Sequence, residues 1–171
     1  FNAAGWSPIP KAVAETGRAG ALRKAQPWTL PASFLVDMNE RARVAAARVI
    51  HADPGDVALI SSVGYGVATA AKLLSVPRGS RVLVIEDDHT SPVLEWMSRA
   101  GPQGFTVETI KRPGDGDWTS AVLEAIARPG AAPIAVASIS SVHWSDGGSI
   151  DLDQVAPALK AKAASLLVDA T

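Results

Sequence analysis

No cysteine occurs among the 171 residues, which excludes disulfides and thiolate metal sites from this stretch. Histidine is nearly as scarce: His51, His89 and His143 are the three present, and their separation gives no metal-ligand spacing. Charge of one sign is missing too. Sixteen basic against seventeen acidic residues leave a net charge of -1, so nucleic acid and anionic membrane surfaces lack the concentrated basic face they require. No apolar run reaches transmembrane length, and Phe1 to Trp6 lacks the basic start of a signal peptide, which makes the cytoplasm the default location. Repeats, low-complexity linkers and charge blocks are also absent. What remains is ordinary globular composition, 47% hydrophobic and 19% charged, enough for one domain with a core. The chain opens on Phe1, not on methionine, and stops at Thr171 directly after a strand-like run, which reads as a piece of a longer protein.

Apolar periodicity organises the rest. Helical spacing covers Lys11 to Lys24 and Ala32 to Ile50, with Pro27 and Pro31 between them. Strands and helices then alternate: strand Val57 to Ile60, helix Val67 to Leu74, strand Arg81 to Ile85, helix Pro92 to Arg99, strand Phe105 to Ile110, helix Thr119 to Ala127. The pattern continues with strand Ile134 to Ile139, helix Leu152 to Ala163 and strand Ser165 to Asp169. Runs such as Val82-Leu83-Val84-Ile85 and Leu166-Leu167-Val168 are continuously apolar, as strands covered by helices on both faces must be. The expected fold is therefore α/β, a mostly parallel mixed sheet with helices on both faces. Residues 1–50 form an N-terminal segment with helices, and 51–171 form the sheet domain.

Ligands in open parallel sheets bind beyond the carboxyl ends of the strands, so residues at those exits are the candidates for chemistry. Asp169 ends the last strand. A buried carboxylate there costs several kcal/mol, on the order of a desolvated ion, unless a cation or strong donors meet it. With no metal cluster nearby in sequence, a protonated ring nitrogen of a cofactor suits it; the plainer alternative is that it caps the chain beyond Thr171. His89, after Glu86-Asp87-Asp88, can stack on a planar ring or handle a proton, or can simply stand exposed while Asp88 or Thr90 caps the helix. Ser61 to Gly66 turns into an Ala-rich helix, so Gly64-Tyr65-Gly66 can present N–H groups to a phosphate; a tight turn is the bland alternative. The segment Ser140 to Gly148 crowds hydroxyls, His143 and Trp144 into one turn; Trp144 serves packing or a pocket, and Ser145 or Asp146 shapes the turn.

This constellation resembles the large domain of the fold-type I, class V aminotransferase-like family, which uses pyridoxal 5'-phosphate (PLP) and includes cysteine desulfurases, kynureninases and epimerase-like members. The resemblance runs through Asn2-Ala3-Ala4-Gly5, Gly64-Tyr65-Gly66, the acidic run into His89-Thr90-Ser91 and on to Trp96, Val142 to Gly147, and Val168-Asp169-Ala170-Thr171. It implies that the amides of Tyr65 and Gly66, on the Gly64 turn, hold the cofactor phosphate, that His89 stacks on the pyridine and that Asp169 pairs with its nitrogen. It places Ser145 near the cofactor oxygen or the substrate, and Asn2, Ala4 and Gly5 along the substrate.

Many relatives carry a Thr where Gly66 stands, so one phosphate bond is missing. The family's Schiff-base lysine comes after the aspartate strand, beyond Thr171, and none of this chain's six lysines fits the role. The implied activity is that of a PLP enzyme acting on an amino acid through an aldimine with cleavage at Cα: transamination, C-S lyase or desulfurase chemistry. The lysine, the remainder of the large domain and a small C-terminal domain would be supplied by further sequence, and the enzyme would be a homodimer. Without them this stretch alone would be inactive. A nucleotide-binding Rossmann-like enzyme is the competing reading, although Gly64-Tyr65-Gly66 gives no clean G-x-G-x-x-G. A degenerate member kept as a binding module is another.

Overall fold

The computed structural model describes residues 7–171, so the expectations for Asn2, Ala4 and Gly5 lie outside the described residues. The chain divides into two units, residues 1–59 and 60–171. In the first, α1 (Lys11–Arg23) and α2 (Phe34–Ile50) are separated by a 3-10 turn over Pro27–Thr29 and by Pro31 after it, the two prolines breaking the helical pattern. The left-handed His51 ends α2. Arg43 then ties the returning chain to α2, with Nε donating to the Val57 carbonyl at 2.8 Å and Nη1 pairing with Glu40 at 2.7 Å.

In the second unit, α3 (Val63–Leu73) precedes β1 (Arg81–Ile85), α4 (Thr90–Gln103), β2 (Thr106–Ile110) and α5 (Trp118–Ala127). β3 (Ile134–Ser140), α6 (Leu152–Ala161) and β4 (Ser165–Asp169) complete it. The four strands are all parallel, in the order β2-β1-β3-β4, as the α/β reading requires. Side chains alternate across a strand, and here the alternation sorts the helices. Leu83, Ile85, Ala137 and Ile139 meet α5 and α6 through Trp118, Val122, Val155 and Leu159. Val82, Val84 and Val136 face the other way, onto Ala71 of α3 and Trp96 of α4. Each fully buried aliphatic side chain of this kind contributes about 1.5–3 kcal/mol.

The sequence expectations need correction at several points. Val57 to Ile60 forms no strand; it runs on without a ladder partner among the described residues, and the Val57 carbonyl is taken by Arg43. Helix α3 begins at Val63, four residues before the expected start, because Ser62 caps it through its side chain. Helix α4 runs on through Pro102 to a left-handed Gly104, since a proline in the last turn removes only one internal hydrogen bond. The apolar run of β4 is half-buried, not covered on both faces, because β4 is the outer strand of the described sheet. Asp117 caps α5, accepting from the Ser120 N–H at 3.0 Å.

Candidate functional site

The order β2-β1-β3-β4 contains one reversal: the chain moves from β1 outward to β2, then returns past β1 to β3 and continues to β4. The helix leaving β1 packs on one face and the helix leaving β3 on the other. The connections leaving the carboxyl ends of β1 and β3 therefore run to opposite faces of the sheet, the arrangement beside which parallel sheets take ligands. His89 leaves β1, Ser145 leaves β3, and Asp169 ends β4 in register with Ser140. The fourth contributor is the start of α3, whose Gly64 lies close to Ser91 in the first turn of α4; a Cβ on Gly64 would sit 3.9 Å from Ser91 Oγ.

Three fasteners join the β1 and β3 exits. The carboxylate of Asp88 accepts from the hydroxyl of Ser140 at 2.6 Å, from its N–H at 3.1 Å and from the N–H of His89 at 2.8 Å. Asp88 is thus a cross-strand brace and does not cap α4. Trp144 donates its indole N–H to the Asp87 carbonyl at 2.6 Å while 67% of the residue stays exposed. His143, fully buried, places Nε2 3.0 Å from the Glu86 carbonyl and Nδ1 3.2 Å from both Ser145 Oγ and Asp146 Oδ1.

Beneath the turn, Trp118 stacks on His143 with ring centres 4.9 Å apart and donates to Asp146 at 3.2 Å. Gly148 leaves room for that indole: a Cβ there would lie 2.8 Å from Trp118 Nε1 and nearer still to Cδ1. Gly147, at φ 74°, supplies the left-handed residue of the turn. Arg112, just past β2, pairs with Asp146 and donates to Ser145 Oγ at 3.0 Å. Asp146 does shape the turn, and the Gly148 N–H above all holds its carboxyl below the usual carboxylate range, helped by the Trp118 N–H, by the neighbouring His143 and by the charge of Arg112.

Glu86 is lowered as well, first by the Arg112 backbone N–H and then by Lys111, whose ammonium sits 2.6 Å away. Lys111 in turn is raised, chiefly by its hydrogen bond to Glu86, and so is held protonated at the carboxyl end of β2. A protonated amine is no nucleophile.

Each expected site residue among those described has a definite setting. Asp169 is half-buried, so the heavy desolvation anticipated for it does not arise; Oδ1 accepts from Thr171 N–H at 3.1 Å and from its hydroxyl at 2.6 Å. Its Oδ2 has no hydrogen-bond partner among the described residues. The imidazole of His89 is exposed and likewise makes no hydrogen bond there. At the start of α3 the amides of Tyr65 and Gly66 are already engaged, by Ser62 Oγ and by the Ser62 carbonyl, each at 3.2 Å. The free N–H groups of that first turn are those of Val63 and Gly64, which have no intrahelical acceptor. The space a side chain at Gly66 would need is taken by Ile60, whose Cδ1 lies 2.7 Å from the Cβ position. Sequence reasoning assigned no role to His143, Trp118 or Arg112 and offered Asp88 only as a helix cap, because these residues meet only through the fold.

Among the described residues no cluster of acids and histidines could hold a metal, and no helix is long and apolar enough to cross a membrane. A cleft of about 510 Å³ lies at the amino ends of β1, β3 and β4, beside Arg78, Ser80 and Lys162, and contains none of the candidate residues.

Among known protein families, the one described as Aminotransferase class-V matches residues 29–171. No curated protein matches the chain. Similar solved structures include a mutant of C-DES with glycine covalently linked to its PLP cofactor, at 18% identity and a TM-score of 0.78, covering 99% of this chain and 46% of that one. C-DES, a cystine C-S lyase, in complex with its product cysteine persulfide gives 18% identity, a TM-score of 0.77 and the same coverage. The cysteine desulfurase CsdA (S-sulfonic acid) from Escherichia coli gives 17% identity and a TM-score of 0.77, covering 99% of this chain and 44% of that one. The chain spans less than half the length of each of these structures, and at such identities the likeness is one of fold. Matched by the family over all but its first 28 residues and built on that fold, the chain belongs to the aminotransferase class-V family that its motifs resemble.

Proposed function

We propose that this chain is the PLP-holding part of an enzyme that breaks a bond at Cα of an amino acid. The observation that carries the reading is the unspent hydrogen-bonding capacity at one crevice. A free carboxylate oxygen on Asp169, a free imidazole on His89 and two free N–H groups at the start of α3 stand on neighbouring elements. This donor and acceptor set fits PLP, which offers a protonated pyridine nitrogen, a flat ring and a phosphate. When bound, PLP supplies an electron sink for the pair released at the substrate's Cα.

The chain's own residues hold and orient. The first turn of α3 takes the phosphate dianion through Val63 and Gly64 N–H, aided by the helix dipole; the Ser62 hydroxyl faces the same turn and can release Tyr65 N–H to join them. Gly66 contributes by letting Ile60 pack against that turn. His89 covers one face of the ring. Asp169 would accept a hydrogen bond from the pyridinium N–H through Oδ2 while Thr171 fixes Oδ1, which keeps the carboxylate aimed. Ser145 faces the cofactor oxygen or the substrate, steadied by Arg112. Transamination, C-S lysis and desulfuration all begin from such a site, and a cytoplasmic homodimer belongs to the same reading.

The test is a titration of the protein with PLP, monitored by 31P NMR and visible absorption. Saturable binding with a displaced phosphorus resonance is expected. Asp169→Ala should keep the phosphorus displacement but weaken affinity about tenfold or more, since a charge-assisted hydrogen bond contributes roughly 1.5–3 kcal/mol. Unaltered affinity in that variant would remove the pyridine-nitrogen assignment. Absence of any PLP binding to folded protein would sink the reading and favour a degenerate binding module.

A further inference from the structure

We infer that His143 is a positioning residue: its buried imidazole pins the loop leaving β1 to the loop leaving β3 and so sets where His89 and Ser145 stand against the ligand. The consequence for ligand binding rests on the PLP reading; the pin itself does not.

The ring is polar and yet 0% exposed, on a loop whose neighbours Val142, Trp144 and Ser145 are exposed. Burying an imidazole is unfavourable unless its nitrogens are matched, and both are. A carbonyl can only accept, so the ring nitrogen 3.0 Å from the Glu86 carbonyl carries a proton and donates it. The opposite nitrogen faces Ser145 Oγ and Asp146 Oδ1. The flat face lies on Trp118, which is itself fully buried and anchored to Asp146. The ring therefore has neither rotational nor translational slack. Glu86 is three residues before His89 and Ser145 two residues after His143, so one rigid side chain spans both site-bearing loops.

The other two fasteners do not duplicate it. Trp144 reaches Asp87 from an exposed position, where water competes for the carbonyl, and Asp88 with Ser140 secures the strand ends and not Ser145. Arg112, an exposed residue at the β2 exit, also reaches the Ser145 hydroxyl and meets Glu86 and Asp87, whereas His143 is the fully buried side chain that joins the β1 exit to that hydroxyl directly.

Two variants separate positioning from bulk support. His143→Phe keeps a flat ring on Trp118 and deletes both hydrogen bonds; His143→Gln sets an amide N–H where Nε2 donates to Glu86. Hydrogen exchange is read by segment in the PLP-free protein, and PLP affinity is read separately. In His143→Phe, exchange in segments 86–90 and 141–149 should rise about tenfold, and PLP should bind about tenfold more weakly, the effect of one or two lost hydrogen bonds. The amides of β1 and β3 should stay protected. His143→Gln should lie within about threefold of the parent in both readouts.

Parent-like exchange in both loops of His143→Phe overturns the pin. Accelerated exchange throughout β1 and β3 overturns it too, by making His143 a general support of the core. Loosened loops with unchanged PLP affinity overturn the positioning role while leaving the cofactor reading intact. Failure of the parent protein to bind PLP overturns that reading and the positioning consequence with it, and the exchange data then judge the pin alone.

Discussion

Gly148 shows how a single absent methyl can decide a site. The Trp118 indole is wedged between Gly148 on one side and His143 on the other, with Arg112 lying 5.9 Å above its ring. It has no exposed surface and nowhere to retreat. Gly148→Ala should therefore destabilise the protein by about 1–3 kcal/mol through overpacking. Gly114→Ala is the matched control, because nothing lies within 4 Å of the position its Cβ would occupy. Denaturant midpoints of the two variants decide the matter; equal midpoints would mean that the indole is not confined. The double glycine of this turn was visible in the sequence, but its reason was not. Gly147 answers to backbone conformation and Gly148 to a tryptophan thirty positions away.

Among elements, the central strands β1 and β3 were legible because a parallel strand buried on both faces must be a short, largely apolar run, and Val82 to Ile85 is one. The same rule misled at Val57 to Ile60. An apolar run becomes a strand only if a neighbour completes its ladder, and sequence periodicity holds no information about neighbours. Helix starts were misjudged for a related reason, since the glycines of Val63-Gly64-Tyr65-Gly66 read as a turn although Ser62 was present as a cap. Arg81, at the start of β1, carries the element-scale prediction. It is nearly buried, donating to the carbonyls of Ala132 at 2.8 Å and Ala125 at 3.0 Å and pairing with Glu108, which also meets Arg128. Arg81→Met leaves one Glu108 oxygen and two carbonyls unmatched, with Arg128 still on the other oxygen, and should cost about 3 kcal/mol, as breaking a buried pair does. Adding Glu108→Met should restore part of that stability, because desolvation of the carboxylate disappears with it. Denaturation of both singles and the double closes the cycle, and additive losses would show that the pair is not coupled.

Across residues 60–171 as a whole, the positions of Asp169 and His89 could be read in advance because strand exits lie in order along the chain. The braces between those exits could not, because Glu86 and His143 are 57 residues apart and only the β1–β3 adjacency unites them. That dependence of local fastening on global topology predicts an acid response. Four carboxylates of this unit are held below their ordinary values: Glu86 first by Arg112 N–H, Asp146 first by Gly148 N–H, Asp117 first by the Ser120 hydroxyl and Asp151 first by the Gln154 amide. A carboxyl whose value is depressed on folding stabilises the native state above its unfolded value, near pH 4, and loses that contribution as pH falls through the folded value. The melting temperature should thus be level from about pH 7 to 5 with respect to these groups and decline below about pH 4. Two of the four fasten the exit loops and two cap α5 and α6, so Glu86→Gln with Asp146→Asn should remove part of the decline and leave the part due to the caps. Melts monitored by circular dichroism at pH 7, 5, 4 and 3 provide the readout. A melting temperature that stays level through pH 3, or a decline of the same size in the double variant, would show that these loops are not held together by their carboxylates.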